Sequence, residues 1–308
     1  MSGYHTPVML DESVSALVTN LEGTYADATF GGGGHTAGIL SRLHDGGHVI
    51  AFDRDMDALE NAPDDPRLTL VHNNFRFIEN YARLLAAKGT VSSTAVFDGI
   101  LADLGVSSHQ FDTAERGFSF RYEDAPLDMR MDAQAQTTAA DIVNTYAQED
   151  LERILRLYGE VDGARKVARL IVAARPLTTT GSLDRAIAQA LPASATHKAL
   201  ARIYQALRIE VNQEMRALEK FLDGAARSLK PGGRLVVITY HSLEDRMVKN
   251  FIRTGDVDGR GEKDIYGRLE TPLEAVNRKP ILPREEEIAG NTRARSAKLR
   301  IAQRRAEA

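Results

Sequence analysis

Short apolar runs that close on glycine or an acid alternate with apolar residues at helical spacing over the first hundred positions. Tyr25 and Ala26 lead through Asp27-Ala28-Thr29-Phe30 into four glycines, Gly31-Gly32-Gly33-Gly34, after which Ile39, Leu40 and Leu43 mark one helical face. That is a strand, a tight turn and a helix. His48-Val49-Ile50-Ala51-Phe52 repeats the strand pattern and closes on Asp53-Arg54-Asp55. Leu68-Thr69-Leu70-Val71 follows, with Phe77, Ile78, Tyr81, Leu84 and Leu85 as the next helix, and a fourth run, Val96 to Ala102, closes on Asp103. Ahead of them, Asp11 reads as the cap of a helix carrying Val14, Leu17 and Val18. Strand and helix in alternation predict a parallel, doubly wound sheet with its site at the carboxyl ends of the strands.

The pattern then changes. After Ser107 comes a polar, loop-like section over residues 115–130, followed by helical stripes only: Leu151, Ile154, Leu155 and Tyr158; Val167, Leu170 and Ile171; and Leu183, Ile187 and Leu191, the last capped by Ser182. Strand character returns at Arg234-Leu235-Val236-Val237-Ile238-Thr239-Tyr240, behind a helix face of Leu207, Val211, Met215, Leu218 and Leu222 stopped by Lys230-Pro231-Gly232-Gly233. Residues 255–290 read as a long loop, and Ser296 to Ala302 alternates as an edge strand does. The expected division is a discontinuous sheet domain, 1–110 with 205–308, and a helical insertion, 111–204.

Composition narrows the chemistry. The chain has 308 residues, too many for one ordinary domain without an insertion, and no cysteine, which excludes disulfides, thiolate metal sites and thiol nucleophiles. No spacing of ligand groups supports a metal, and none is expected. The start of the chain has no basic and apolar leader pattern and no run is long enough to span a membrane, so a cytoplasmic protein is expected. Net charge is −4, yet between Arg153 and Arg208 ten basic residues, among them Arg165, Lys166, Arg169, Arg202 and Arg208, face three acids, a local +7. Arg293 and Arg295 make the carboxyl end basic as well. That asymmetry favours a polyanionic partner over a merely solvated face.

Four glycines are also what a flexible loop looks like, and Gly32 to Ala37 meets the relaxed dinucleotide fingerprint. Asp53, about 20 residues beyond the turn, is placed to accept hydrogen bonds from both hydroxyls of a ribose. Two ligands satisfy that pair of features: a nicotinamide dinucleotide, and S-adenosylmethionine. Leu229-Lys230-Pro231-Gly232-Gly233-Arg234-Leu235 tips the balance, because it resembles the turn before the fifth strand of class I S-adenosylmethionine-dependent methyltransferases. Phe75 reads equally as an adenine-stacking ring or as core, and His241 as a group that places substrate or as one that satisfies backbone after the fifth strand. His5 and Asp11 are candidates to approach a ligand from above the glycine turn.

The likeness extends along the whole chain. His5-Thr6-Pro7-Val8, Thr29 to His35, Asp53-Arg54-Asp55, Asp98 to Ser108, Glu115-Arg116-Gly117-Phe118-Ser119-Phe120, Pro126 to Asp132, Gln205 to Ile209, His241-Ser242-Leu243-Glu244-Asp245-Arg246 and Arg293-Ala294-Arg295-Ser296 resemble, in order, the motifs of the bacterial small-subunit ribosomal RNA cytosine-N4 methyltransferases, the RsmH or MraW family. The resemblance implies a class I, Rossmann-like sheet with an all-helical insertion that binds RNA. It also implies methylation of N4 of a cytidine in the decoding region of 16S rRNA, with S-adenosylmethionine as donor and the small subunit as partner. Carried over by motif, the donor is held by Gly33, Gly34, His35, Asp53, Phe75, Asp103 and Gln110. Asp103, Tyr240 and His241 are the candidates for the chemistry, and a homodimer is compatible. The fourth-strand tetrad of DNA amino-methyltransferases ends in an aromatic, whereas Asp103-Leu104-Gly105-Val106 keeps the acid and lacks the ring. Two insertion motifs also depart from the family pattern, at Tyr158 to Gly163 and at His197 to Arg202.

Overall fold

A computed structural model describes residues 7–60, 62–88, 94–122, 124–191, 193–263, 266–267 and 269–306. His5 lies outside them. By contacts the chain forms two compact units, residues up to Gly105 with those from Arg216 onward, and Val106–Met215.

In the first unit seven strands form one sheet in the order β3-β2-β1-β4-β5-β7-β6. These are β1 (Thr24–Asp27), β2 (His48–Asp53), β3 (Leu68–His72), β4 (Phe97–Asp103), β5 (Leu229–Thr239), β6 (Leu273–Ala275) and β7 (Lys298–Arg304). The first five run parallel, and β7 is antiparallel to both β5 and β6. Because successive side chains of a strand point to opposite faces, β5 divides its apolar run between two cores. Leu235 and Val237 join α4 (Ile78–Lys88), α11 (Glu214–Ser228) and α12 (Ser242–Thr254) on one side. Val236 and Ile238 join α1 (Leu10–Leu17) and α2 (Gly34–Leu40) on the other. The short helices α3 (Met56–Leu59) and α13 (Glu285–Gly290) complete this unit.

The second unit holds α5 (Ser108–Asp112), α6 (Ala139–Thr145), α7 (Gln148–Gly159), α8 (Ala164–Ala173), α9 (Thr180–Ile187) and α10 (Thr196–Asn212). Leu151, Ile154, Leu155, Val167, Ile171, Leu183 and Ile187 are buried together in its core, as their spacing requires. Phe118, Leu127, Met129 and Met131 join them, so the section read as a polar loop is anchored. Asn212 fixes it: its Oδ1 accepts from Met131 N at 2.8 Å and its Nδ2 donates to the Met129 carbonyl at 2.8 Å.

Several local expectations need correction. Leu207 to Leu222 is two helices, because Gln213 adopts φ 50° and ends α10. Thr179, not Ser182, caps α9, with Ser182 completing the capping box from the third position. Met9, in the left-handed region, precedes α1 where Asp11 was expected to cap, and Asp11 lies in the first turn instead. The last strand is interior: β6, from a segment read as loop, pairs along its outer side.

Candidate active site

Three acids end three neighbouring strands. Asp27 closes β1, Asp53 closes β2 and Asp103 closes β4, and the strand order reverses between β1 and β4. A crevice outside the carboxyl ends at such a switch point is where ligands of doubly wound sheets bind.

Each acid is tied to the glycine turn. Asp27 is fully buried and accepts from Thr36 Oγ1 at 2.7 Å and from Thr29 N at 3.1 Å, so it fastens the two ends of the turn. Asp53 Oδ2 accepts from Gly31 N at 2.7 Å, and its Oδ1 accepts from Asp55 N at 2.9 Å. Two carboxylate oxygens offer about four lone pairs, so Asp53 keeps capacity for two more donors. Asp55, not Asp53, caps α3. The main-chain N–H of Asp103 donates to Thr29 Oγ1 at 2.7 Å. Gly33 is required by geometry: its φ is 73°, and a Cβ there would lie 2.8 Å from the Phe30 ring. Gly34 opens α2 directly after it.

His35 is 4% exposed; its Nε2 is 3.1 Å from the Val8 carbonyl and its Nδ1 3.7 Å from Asp103 Oδ2. Tyr240 donates its hydroxyl to the other oxygen of Asp103 at 2.7 Å. The Asp103 side chain keeps 22% of its surface, so it remains open to a ligand. Burial pushes its carboxyl up to about 6, with nearby His35 and the Tyr240 bond pulling against that. Burial likewise raises Asp27 and Asp53, and it raises the Tyr240 phenol with the Asp103 charge acting in the same sense.

Tyr240 also answers the aromatic that the fourth-strand tetrad lacks. Gly105 has φ 116°, and a Cβ there would lie 3.2 Å from the Tyr240 ring. The ring comes from the end of β5 and packs beside the tetrad, a relation that spacing within one strand does not reveal. His241 is the N-cap of α12: its Nδ1 accepts from Glu244 N at 3.4 Å, while Glu244 Oε2 accepts from Tyr240 N and His241 N at 2.9 and 3.3 Å. Its Nε2 lies 3.0 Å from Glu244 Oε1 without the alignment of a hydrogen bond. Of the two readings left open, backbone capping accounts for all of its bonds. Phe75, past β3, is partly buried and meets Phe221 edge to face at 5.2 Å.

In the second unit Gln110 and Ser107 form the capping box of α5. Arg165, Lys166 and Arg169 are exposed along α8, Lys166 donating to the Gln189 carbonyl. Arg202 reaches the Glu160 carbonyl and lies 3.7 Å from Asp162. Arg208 departs from its expected role: it makes a two-bond pair with Glu214 at 2.8 and 2.9 Å and is only 16% exposed, so its charge is already matched. In the first unit Arg295 is exposed and Arg293 partly buried. Sequence reasoning assigned no role to Asp27, Thr29 or Thr36; a charged residue ending an apolar run was the available signal for Asp27.

The acid cluster discriminates between the two candidate ligands. Asp27 and Asp103 face one imidazole, and Asp53 has only a weak attraction from Arg54. A pyrophosphate would meet like charge there, whereas a sulfonium and an ammonium meet opposite charge. With the free lone pairs of Asp53 for ribose hydroxyls, the donor set fits S-adenosylmethionine.

The sequence pattern that defines the MraW methylase family matches residues 2–305. A ribosomal RNA small subunit methyltransferase H from Bacteroides fragilis strain YCH46 is 53% identical over 305 residues, covering 98% of each chain. Proteins of the same name from Bacteroides thetaiotaomicron and Flavobacterium johnsoniae are 53% and 50% identical, again over 98% of each chain.

Proposed function

The chain belongs to the MraW methylase family, and from that premise we propose that Asp103, held by Tyr240, is the group at which the exocyclic amine of a cytidine in small-subunit rRNA gives up its proton as it is methylated. The chain is an rRNA methyltransferase that modifies cytidine N4 with S-adenosylmethionine. When bound, S-adenosylmethionine supplies a sulfonium methyl group. Asp53 would hold the ribose, and the backbone of Gly33, Gly34 and His35 the remainder of the donor.

The amine's lone pair is delocalised into the ring, so N4 is a poor nucleophile. In-line placement can lower the barrier by roughly 7 to 11 kcal/mol, and an acceptor for the amine's hydrogens adds to it. Asp103 is that acceptor and the Tyr240 hydroxyl fixes its orientation. The Tyr240 ring, beside Gly105, offers the flipped base an aromatic edge. His241 and Glu244 position Tyr240 through α12 and touch no substrate. The single observation that carries the reading is the Tyr240 bond to a carboxylate that remains open at the end of β4.

Arg165, Lys166 and Arg169, with Arg202 and Arg295, would meet phosphates flanking an accessible target in the small subunit, since enzymes acting on RNA favour splayed nucleotides. Tritiated methyl transfer to purified small subunits tests the activity and separates it from an assembly role without turnover. Calorimetry with S-adenosylhomocysteine and with a nicotinamide dinucleotide tests the ligand: heat from the dinucleotide alone overturns the reading.

A further inference from the structure

His35 sits in a corner where its two nitrogens do different work. The Val8 carbonyl can only accept, so Nε2, 3.1 Å away, carries the hydrogen of the neutral ring. Nδ1 then carries no hydrogen, and Asp103 Oδ2 lies 3.7 Å from it. Tyr240 occupies Asp103 Oδ1 and leaves Oδ2 as the oxygen nearest the ring.

The groups around this corner are nearly all anionic. Asp27 faces the ring from β1 and Asp103 from β4; Glu244 of α12 acts on Asp103 in turn, and the Tyr240 phenol is raised and stays neutral. Two carboxylates thus lie around a ring with only 4% exposure.

We propose that His35 is the proton relay of the transfer reaction, its Nδ1 taking from Asp103 Oδ2 the proton that Asp103 has removed from the cytidine amine. This rests on the role given to Asp103 above. The balance is simple: N4 gains the methyl group that the donor's sulfonium would give up, its S–C bond breaking to leave a neutral thioether, and loses one proton. An N–H bond of the amine breaks as O–H forms on Asp103 Oδ2. That O–H bond then breaks as N–H forms on His35 Nδ1, leaving an imidazolium and a regenerated carboxylate. The imidazolium proton passes to water when product leaves. The gap from 3.7 Å to hydrogen-bond length is a shift of under about 1 Å, within the reach of a side chain adjusting to ligand. The His35 side chain touches neither the amine nor the methyl group and acts through Asp103.

The first test needs no turnover. Nuclear magnetic resonance of the His35 ring nitrogens in the ligand-free protein should show the neutral ring carrying its hydrogen on Nε2 and none on Nδ1. A neutral ring that carries its hydrogen on Nδ1 overturns the proposal. The second test uses His35→Gln, whose amide can still donate to the Val8 carbonyl. Single-turnover methylation should slow about tenfold or more near neutral pH, with less loss at high pH and partial recovery on adding imidazole. S-adenosylhomocysteine should bind within twofold of the unaltered protein. An unchanged pH profile overturns the relay. If Asp103→Asn instead methylates at a near-normal rate, it is the role of Asp103 that fails, whatever His35 does.

Discussion

The two units treat charge in opposite ways. At the carboxyl edge of the sheet Asp27, Asp53 and Asp103 stand among apolar strands, with one imidazole beside Asp27 and Asp103, and burial raises all three. In the helical unit charges are either matched or left in water: Arg208 pairs with Glu214, Arg130 with Asp128, and Arg165, Lys166 and Arg169 stand exposed on α8. An unmatched buried charge is costly and persists where it has work to do, whereas an exposed cation costs little and gains by meeting an anion. On the proposed reading the sheet unit carries the chemistry and the donor, and the helical unit the hold on RNA.

The sharpest way to break that division is Asp103→Asn. The amide still accepts from Tyr240 and keeps the shape of the site, but it cannot take a proton. Single-turnover methylation should fall by about 10²- to 10⁴-fold, the usual worth of a general base, while calorimetric binding of S-adenosylhomocysteine survives. Full activity in this variant would move the base elsewhere.

Next come two changes that should separate cleanly. Asp53→Ala removes a charged acceptor and should weaken the donor by about 1.5 to 3 kcal/mol, roughly 10- to 100-fold, without altering the salt dependence of RNA binding. The triple reversal Arg165→Glu, Lys166→Glu and Arg169→Glu should do the reverse. RNA affinity falls, its logarithmic salt slope shrinks by about 2, and donor affinity stands. A loss of both in either protein would mean that the assignment of one task to each unit is wrong.

Smaller again is the effect of Asn212→Ala. It orphans the Met131 N–H and the Met129 carbonyl inside the helical core, which should cost about 1 to 3 kcal/mol in urea unfolding. Donor binding by the sheet unit, measured below the transition, should be unaffected.

How legible all this was in the sequence follows from the range of the interactions concerned. The parallel strands and Asp53 were readable because a buried strand declares itself over five or six residues and its terminal acid comes at a fixed offset. The stripes of α7, α8 and α9 were readable for the same local reason. The break at Gln213 was not, since a single residue in the left-handed region leaves apolar periodicity nearly intact on either side. Nor was the interior place of β7, because its partner β6 is three residues long within a stretch rich in turn formers. The site divides the same way. Asp103 and Tyr240 could each be named as candidates, but not that the Tyr240 ring packs beside Gly105, since no spacing rule relates the ends of β4 and β5. Arg208 was misjudged because composition counts a cation without showing that Glu214 neutralises it.

The least of the expected effects concerns stability, and it has the opposite sign to the loss of activity. Asp103 titrates near pH 6 in the folded protein against about 4 in an unfolded chain. Between those values the folded state binds more protons, so the contribution of this carboxyl to stability is complete below pH 4 and is lost as pH rises through 6. An uncharged amide at that position has nothing to lose over that interval. Relative to the unaltered protein, Asp103→Asn should therefore gain stability between pH 4 and pH 7, by about 1 to 2 kcal/mol once the open face of the side chain is allowed for. Urea midpoints across that range provide the measurement. A gap that does not widen with pH would mean that Asp103 is not held against its own charge, and the contrast between a strained sheet edge and a relaxed helical unit would lose its main support.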